Sequence, residues 1–235
     1  MIPAPDGGDG LPASAPAHLG RLGPALLRLS AVQGAWPPRR PQRVVPAPLA
    51  DGLEAGARAA DARADEGADL VVVGDGGPAG PALALLAVLL DLEPVAAVGT
   101  AAVPGWAALV AQVRDGLRAG RPHRADPDEL PTALGAPHLA GLSGLLQQCA
   151  VRRTPVLLSG APGAWAAALL TERRAAGTRS ALLAGCSPPP GAPALALTEL
   201  GLVPLLDLQL GRPEGADLAL GVLLGAVDLL EEPGA

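Results

Sequence analysis

The chain contains no lysine, asparagine, phenylalanine or tyrosine, and it has only three tryptophans among its 235 residues. The absence of lysine excludes a P-loop nucleotide site, because that site needs a lysine on the β- and γ-phosphates. Aromatic side chains make up 1% of the residues, which argues against a protein that stacks the bases of single-stranded nucleic acid. The 17 basic residues are all arginine, and with abundant alanine, glycine and proline they indicate a genome of very high G+C content.

Charge and hydropathy narrow the class of protein further. The net charge is −6 and the pI is near 5.0, which argues against a nucleic-acid partner because such a partner requires a basic face. The longest strongly apolar run, residues 81–90, is about half as long as a membrane span, so no membrane partner is expected. No signal peptide is apparent, and Cys149 and Cys186 form no CxxC pair. We therefore expect a cytoplasmic protein with two reduced thiols.

Short, unbroken apolar runs alternate with helical segments in most of the chain. This pattern predicts an α/β fold, a Rossmann-like three-layer sandwich with a mostly parallel sheet covered on both faces. The predicted strands are residues 69–73, 95–98, 155–158, 181–184 and 203–206. The predicted helices are residues 24–32, 53–66, 81–90, 104–118, 137–150, 164–175, 194–200 and 217–230. The chain is long enough to bury a sizeable core, since 49% of its residues are hydrophobic and 17% are charged.

Three parts are predicted along the chain. Residues 1–17 are a flexible leader, rich in proline, glycine and aspartate. Residues 18–66 form a small helical N-terminal segment, in which residues 36–48 are an extended linker because proline disfavours both a helix and a central strand. Residues 67–235 form the α/β domain.

Ligands of open parallel sheets bind at the carboxyl ends of the strands, so the turns that follow the strands are the places to search. One such turn contains Gly74, Gly76 and Gly77, and it opens a helix whose backbone N–H groups and dipole can hold a phosphate. The same turn fits a loose G-x-G-x-x-A dinucleotide pattern, with Asp91 as a distant candidate for ribose contact. A plain tight turn is the remaining interpretation.

Two further turns supply candidate binding groups. Gly99 and Thr100 follow a predicted strand, where they can offer N–H and hydroxyl donors to a phosphate. Ser159 and Gly160 follow another strand, but Leu157 breaks the G-x-S-x-G pattern of a hydrolase nucleophile, so a hydrolase is disfavoured.

Glu214 begins the last predicted helix. From the residue type alone it is a carboxylate that the positive end of the helix dipole favours. The histidines, His18, His123 and His138, show no metal-ligand spacing, and no metal or cofactor is predicted.

Taken in order along the chain, these segments resemble the nicotinate-nucleotide–dimethylbenzimidazole phosphoribosyltransferase family, whose members build the lower ligand of cobalamin. Residues 16–34 are similar to the family's P-x-x-S-L-G-R-L … Q-G helix. The Gly74 turn falls on the family's G-x-G-N-T-T, and Gly99-Thr100 falls on its G-T-G. Residues 156–160 are similar to V-x-L-D-G. Residues 205–215, with Glu214-Gly215 at their end, are similar to L-L-x-L … E-G.

The resemblance implies a function and roles for these residues. The expected reaction transfers the phosphoribosyl group of nicotinate mononucleotide to dimethylbenzimidazole or a related base and gives an α-ribazole phosphate. Glu214 would be the catalytic base, since the family uses the glutamate of its E-G pair. The phosphate or nucleotide would contact the turns that contain Gly74, Gly76, Gly77, Gly99, Thr100, Ser159 and Gly160. The resemblance also implies a homodimer.

The chain departs from the family at several of these positions. Gly77, Pro78 and Ala79 replace the Asn and both Thr of the phosphate loop, and Val72 stands where the family has a second glutamate. Two alternatives to a working transferase therefore stay open. One is a catalytically impaired homologue that acts as a binding or assembly partner, and the other is an NAD(P)-binding domain that uses the Gly74 turn.

Overall fold

The computed structural model describes residues 12, 14, 17–74, 77–100, 105–212 and 214–231. The strands are β1 (Val44–Pro46), β2 (Leu70–Val73), β3 (Val156–Leu158), β4 (Leu182–Cys186) and β5 (Pro204–Leu206). The helices are α1 (Leu22–Gln33), α2 (Leu53–Asp65), α3 (Ala79–Leu90), α4 (Pro94–Val98), α5 (Trp106–Gly120), α6 (Leu130–Ala133), α7 (Pro137–Val151), α8 (Pro162–Arg174), α9 (Ala192–Glu199) and α10 (Glu214–Glu231). The predicted leader falls almost entirely outside these residues.

The five strands form one parallel sheet in the order β1-β2-β3-β4-β5. Because each strand pairs with the next one along the chain, right-handed crossovers place all the connecting helices on the same face. The core reflects this winding: Val71, Val73, Val156 and Leu158 pack with α2, α3, α7, α8 and α9. The predicted α/β fold with a parallel sheet is therefore confirmed.

The opposite face of the sheet is covered by the helices nearest to the two ends of the chain. Leu70, Val72, Leu157 and Leu183 pack there against the apolar sides of α1 and α10. Helix α1 is also fixed to the chain beyond β3, because the Arg28 guanidinium donates to the carbonyl oxygens of Arg179 and Gly201, each at 3.0 Å. Two helices from distant parts of the sequence thus complete the third layer.

One predicted strand was wrong, and one strand of the sheet was not predicted. The predicted strand at 95–98 is the short helix α4, because extended Glu93 and Pro94 at the first position begin a helical turn and the Gly99 N–H bonds to the Val95 carbonyl. The predicted linker at 36–48 contains β1, which is the edge strand next to β2. Proline fits there because an edge strand uses the N–H groups of one side alone, and the Pro46 position leaves the ladder intact.

Helices α2 and α7 approach each other at backbone contact. A Cβ atom at Gly56 would lie 1.7 Å from the carbonyl oxygen of Gly141, and one at Gly144 would lie 2.0 Å from that of Leu53. A side-chain hydrogen bond joins the same helices, with Gln148 donating to Asp61 at 2.8 Å. This close packing requires glycine on both helices.

We expect Gly56→Ala to lower the free energy of unfolding by about 2 kcal/mol or more, because overpacking against a backbone oxygen forces the two helices apart. Urea denaturation followed by circular dichroism measures this loss. Ala62→Ser, which adds one atom to the exposed side of the same helix, is the matched control and should change stability by less than about 0.5 kcal/mol. Equal stabilities of the two variants would contradict the contact.

Candidate functional site

The carboxyl edge of the sheet collects most of the predicted site residues. Ser159, which follows β3, is fully buried, and its hydroxyl donates to the carbonyl oxygen of Gly74 after β2 at 2.6 Å. The hydroxyl oxygen of Ser159 also accepts the Ala161 N–H at 3.1 Å, and the Ser159 N–H bonds to the Val73 carbonyl at 2.9 Å. The loops that follow β2 and β3 are therefore joined side by side.

The loop between β5 and α10 closes over this pair at Gly160. A Cβ atom at Gly160 would lie 1.8 Å from the Leu210 carbonyl oxygen, so the two backbones touch. A hydrogen bond also joins the end of β4 to the start of α10: the Cys186 thiol donates to the Gly215 carbonyl at 3.1 Å. These contacts fix the start of α10, where Glu214 is the first residue and its side chain is exposed.

Residues 187–191 form the loop between β4 and α9. This loop contacts both the loop after β5 and the end of α4. Gly99 approaches it so closely that a Cβ atom there would lie 2.5 Å from the Pro190 carbonyl oxygen. The Ser187 hydroxyl donates to Asp207 at 3.0 Å, and Asp207 pairs with Arg21 at 3.1 Å. Sequence reasoning missed this segment, although three consecutive prolines one residue after the strand were a signal for a rigid connection.

The other predicted residues fall as follows. Gly99 is buried, and its carbonyl accepts the Trp106 indole N–H at 2.8 Å, whereas Thr100 is exposed. Both follow helix α4 and not a strand. Gly77 has a φ of +79° and lies against the ring of His138. Gly76 lies outside the described residues.

Asp91 does not fit the ribose contact of a dinucleotide site. It caps the C-terminal end of α3 in the left-handed conformation and pairs with Arg124 at 3.0 Å. The Gly74 turn precedes the other end of this helix, which is 12 residues or about 18 Å long. The dinucleotide interpretation thus loses its acidic residue.

The two cysteines lie on opposite faces of the sheet and are both unpaired and buried. Burial raises the pKa of the Cys149 thiol to about 12, with a smaller contribution from Asp61, and burial also raises the pKa of Cys186. Both are therefore neutral thiols at neutral pH, and Cys186 acts here as a hydrogen-bond donor and not as a nucleophile.

Metal centres and membrane spans are both missing from the part of the chain with a described structure. No three His, Cys, Asp or Glu side chains lie there in an arrangement that could hold a metal ion. None of the described helices is both long and apolar enough to cross a bilayer.

Comparison with known proteins adds to this geometry. A model of a phosphoribosyltransferase family matches residues 44–234. The nicotinate-nucleotide–dimethylbenzimidazole phosphoribosyltransferase of Corynebacterium efficiens is 40% identical over 185 residues, which cover 76% of this chain and 50% of that protein. The enzyme of the same name from Mycobacterium avium strain 104 is 44% identical over 185 residues, covering 76% of this chain and 53% of that protein.

Solved structures agree with the fold. A crystal structure of CobT from Thermus thermophilus superposes with a TM-score of 0.75 at 24% identity, covering 94% of this chain and 92% of that chain. A crystal structure of the nicotinate-nucleotide–dimethylbenzimidazole phosphoribosyltransferase from the same organism gives 0.73 at 25% identity, covering 93% and 91%.

The fold and the family match together define a phosphoribosyltransferase-type α/β protein. More closely, the chain belongs to the nicotinate-nucleotide–dimethylbenzimidazole phosphoribosyltransferase family, as its motifs predicted. It spans about half the length of the curated relatives it matches.

The hydroxyl of Ser159 is the most direct connection between two of the candidate loops, and its loss is testable. We expect Ser159→Ala to lower the free energy of unfolding by about 1–3 kcal/mol, because it removes the donor to the Gly74 carbonyl in a buried setting. Thermal and urea unfolding measure the change. Ser180→Ala, which removes a more exposed hydroxyl bonded to Gly177, is the control and should cost less than about 1 kcal/mol. A Ser159 variant as stable as the control would contradict this role.

Proposed function

We propose that this protein transfers the phosphoribosyl group of nicotinate mononucleotide to dimethylbenzimidazole or a related base, giving an α-ribazole phosphate. The single observation that carries the proposal is the position of Glu214. It lies at the first residue of α10, at the carboxyl edge of the parallel sheet, where the loops after β2, β3 and β4 also meet. The names of the matching relatives support the same reaction.

The chemistry requires one positioned base. The bond from C1′ to the pyridinium nitrogen breaks readily, because the electron pair returns to a cationic ring and leaves nicotinate. A nitrogen of the acceptor forms the new bond to C1′, and the proton on its other nitrogen is lost to Glu214. Proton transfer to a positioned side chain accelerates such steps by about 10²–10⁴-fold. The remaining acceleration comes from holding the acceptor beside C1′.

The nucleotide-binding groups of the proposed site are backbone groups and not cations. Gly74, Gly77 and Gly160 lie in loops that open helices α3 and α8, where the N–H groups of a first helical turn favour an anion. Gly76 belongs to the same glycine-rich turn of the sequence and is included in the proposal. The hydroxyl of Ser159 is already committed to the Gly74 carbonyl, so it shapes the loop.

Gly99 and Thr100 complete the proposed site from the side of α4. They lie at the end of that helix, and the Gly99 backbone touches segment 187–191, which is the loop after β4 and borders the loop after β5. The exposed Thr100 hydroxyl is a further donor that a nucleotide could use.

The reaction and the role of Glu214 are tested together. We expect Glu214→Gln to lower kcat by about 10²-fold or more while nicotinate mononucleotide still binds, since the amide keeps the shape but cannot accept the proton. Nicotinate release with and without dimethylbenzimidazole, followed by chromatography, is the assay. Asp217→Asn alters the other exposed carboxylate in the first turn of α10 and serves as the matched control.

Three results of that assay have distinct meanings. Acceptor-dependent release that collapses only in Glu214→Gln supports the proposal. An equal loss in Asp217→Asn would assign the effect to the charge of the helix terminus and not to a base. No nicotinate release from folded wild-type protein would contradict the proposed transferase activity and favour an impaired homologue that binds a partner.

We also propose that the protein is cytoplasmic and that it forms a homodimer. The outer face of α10 is the proposed dimer interface. Leu218 and Leu229 are 48% and 61% exposed, and Gly221 and Gly225 between them face open space. These positions lie on one side of the helix, and an apolar side with two glycines allows a second α10 to approach closely.

The proposed cytoplasmic location rests on a different observation. Buried unpaired thiols at Cys149 and Cys186 accord with a reducing compartment.

We expect Leu229→Glu to shift the protein from dimer to monomer, because two like charges would face each other across a two-fold axis. Sedimentation velocity at several concentrations measures the change. Leu195→Glu, on α9 and 46% exposed in the wild type, is the control and should leave the association unchanged. A wild-type monomer at all concentrations would refute the dimer.

A further inference from the structure

The first turn of helix α10, which begins with Glu214, packs on the end of strand β4. A Cβ atom at Gly185 would lie 2.9 Å from the Cβ atom of Ala219, so the strand backbone and the helix are in direct contact. The next residue of the strand, Cys186, donates from its thiol to the Gly215 carbonyl at 3.1 Å. The strand therefore holds the helix at the residue that follows the proposed base.

The hydrogen bond from Cys186 is not needed to form the helix. In an α-helix the carbonyl of residue 215 accepts the N–H of residue 219, so the thiol is a second donor to the same oxygen. A buried cysteine does not need such a bond either, because Cys149 is buried too and its thiol has no hydrogen-bond partner among the described residues. The bond instead fixes the start of the helix against the strand.

A second contact encloses the same turn of the helix. Gly215 is buried, and a Cβ atom there would lie 3.2 Å from the Cβ atom of Leu210 and 3.3 Å from the Sγ atom of Cys186. The Leu210 carbonyl in turn touches Gly160 in the loop after β3. The residue directly after Glu214 therefore has no room to shift, although the Glu214 side chain itself is exposed.

We propose that the end of β4 positions the base of the transferase: Cys186 is a positioning residue that, together with the contact at Gly185, holds the first turn of α10 where the Glu214 carboxylate reaches the acceptor N–H. This role rests on the proposed function, because it needs Glu214 as the base. Cys186 is fully buried, so it acts through the helix and does not touch the substrates. A misplacement of about 1 Å can cost about 10²-fold in rate, whereas one hydrogen bond to a neutral group contributes little to stability.

The test removes the thiol donor and then restores a donor with a different atom. Steady-state kinetics of nicotinate release, with dimethylbenzimidazole as acceptor, are measured for the wild type, Cys186→Ala and Cys186→Ser. We expect Cys186→Ala to lower kcat by about tenfold and to change KM for nicotinate mononucleotide by less than about twofold, because the base shifts and the nucleotide loops do not. Cys186→Ser keeps a donor, so its kcat should stay within about threefold of the wild type.

Cys149→Ala is the matched control, because it removes a thiol of similar burial on the other face of the sheet. We expect it to lower Tm about as much as Cys186→Ala and to leave kcat unchanged. Rates are compared at a temperature at which circular dichroism shows every variant to be folded. An equal loss of kcat in both alanine variants would mean that turnover follows stability, and it would overturn the positioning role. A wild-type kcat in Cys186→Ala would overturn it as well.

A second measurement does not depend on the reaction. Hydrogen exchange, followed by NMR, reports on the amides of residues 218–220, which bond to carbonyls 214–216 in the first turn of α10. We expect exchange to be faster by about threefold or more in Cys186→Ala and unchanged in Cys186→Ser and Cys149→Ala. Unchanged exchange in Cys186→Ala would overturn the positioning role alone. A folded wild type that releases no nicotinate would overturn the proposed function, and the positioning role with it.

Discussion

Contact between backbones, made possible by glycines, is the constraint on which the candidate site depends. Gly160 touches the Leu210 carbonyl, Gly99 lies against the carbonyl oxygen of Pro190, and Gly191 lies against that of Ala97 in α4. At such distances no side chain fits, so the loops that follow the strands can be layered on one another. Residues far apart in the sequence are thereby held together by main-chain contacts.

The winding of the sheet explains why the last helix has such a central position. Because β1 to β5 follow each other in order, the connecting helices all cover one face and leave the other open. Helices α1 and α10 fill that face, and α10 begins at the carboxyl edge. One helix therefore completes the core, carries Glu214 at its start and presents an apolar outer side. Mutations in its buried side would affect all three roles through stability alone.

The strands and helices with a regular apolar pattern were predicted well from the sequence, and two irregular segments were predicted poorly. Apolar runs and flanking turns identified β2, β3, β4 and β5 and the longer helices to within a few residues. The run at 95–98 had the composition of a strand, but Pro94 at its start favoured a helical turn. Strand β1 was missed because prolines exclude a central strand and not an edge strand. The second error concerns a pairing partner, which a local pattern does not contain.

The candidate site was predictable only in part. Gly74, Ser159 and Gly160 follow from the rule that ligands bind after parallel strands, and the structure brings their loops into contact. The role proposed for Glu214 came from family resemblance, since a glutamate at a helix start has an ordinary structural explanation. His138 and Cys186 could not be found, because their contacts with residues 77 and 215 join distant segments. The segment at 187–191 gave a signal in its prolines, but the signal indicated rigidity and not a location.

Glu214 is exposed in the free protein, so water solvates its carboxylate. In the proposed reaction the acceptor is a flat, apolar ring system that would lie against Glu214 to deliver its proton. In that position it would displace water from the carboxylate. Such a site needs a rigid base and a close fit to the acceptor, and the backbone contacts at the start of α10 provide the rigidity. The free protein can then keep Glu214 solvated, so it has no buried charge to compensate before the acceptor binds.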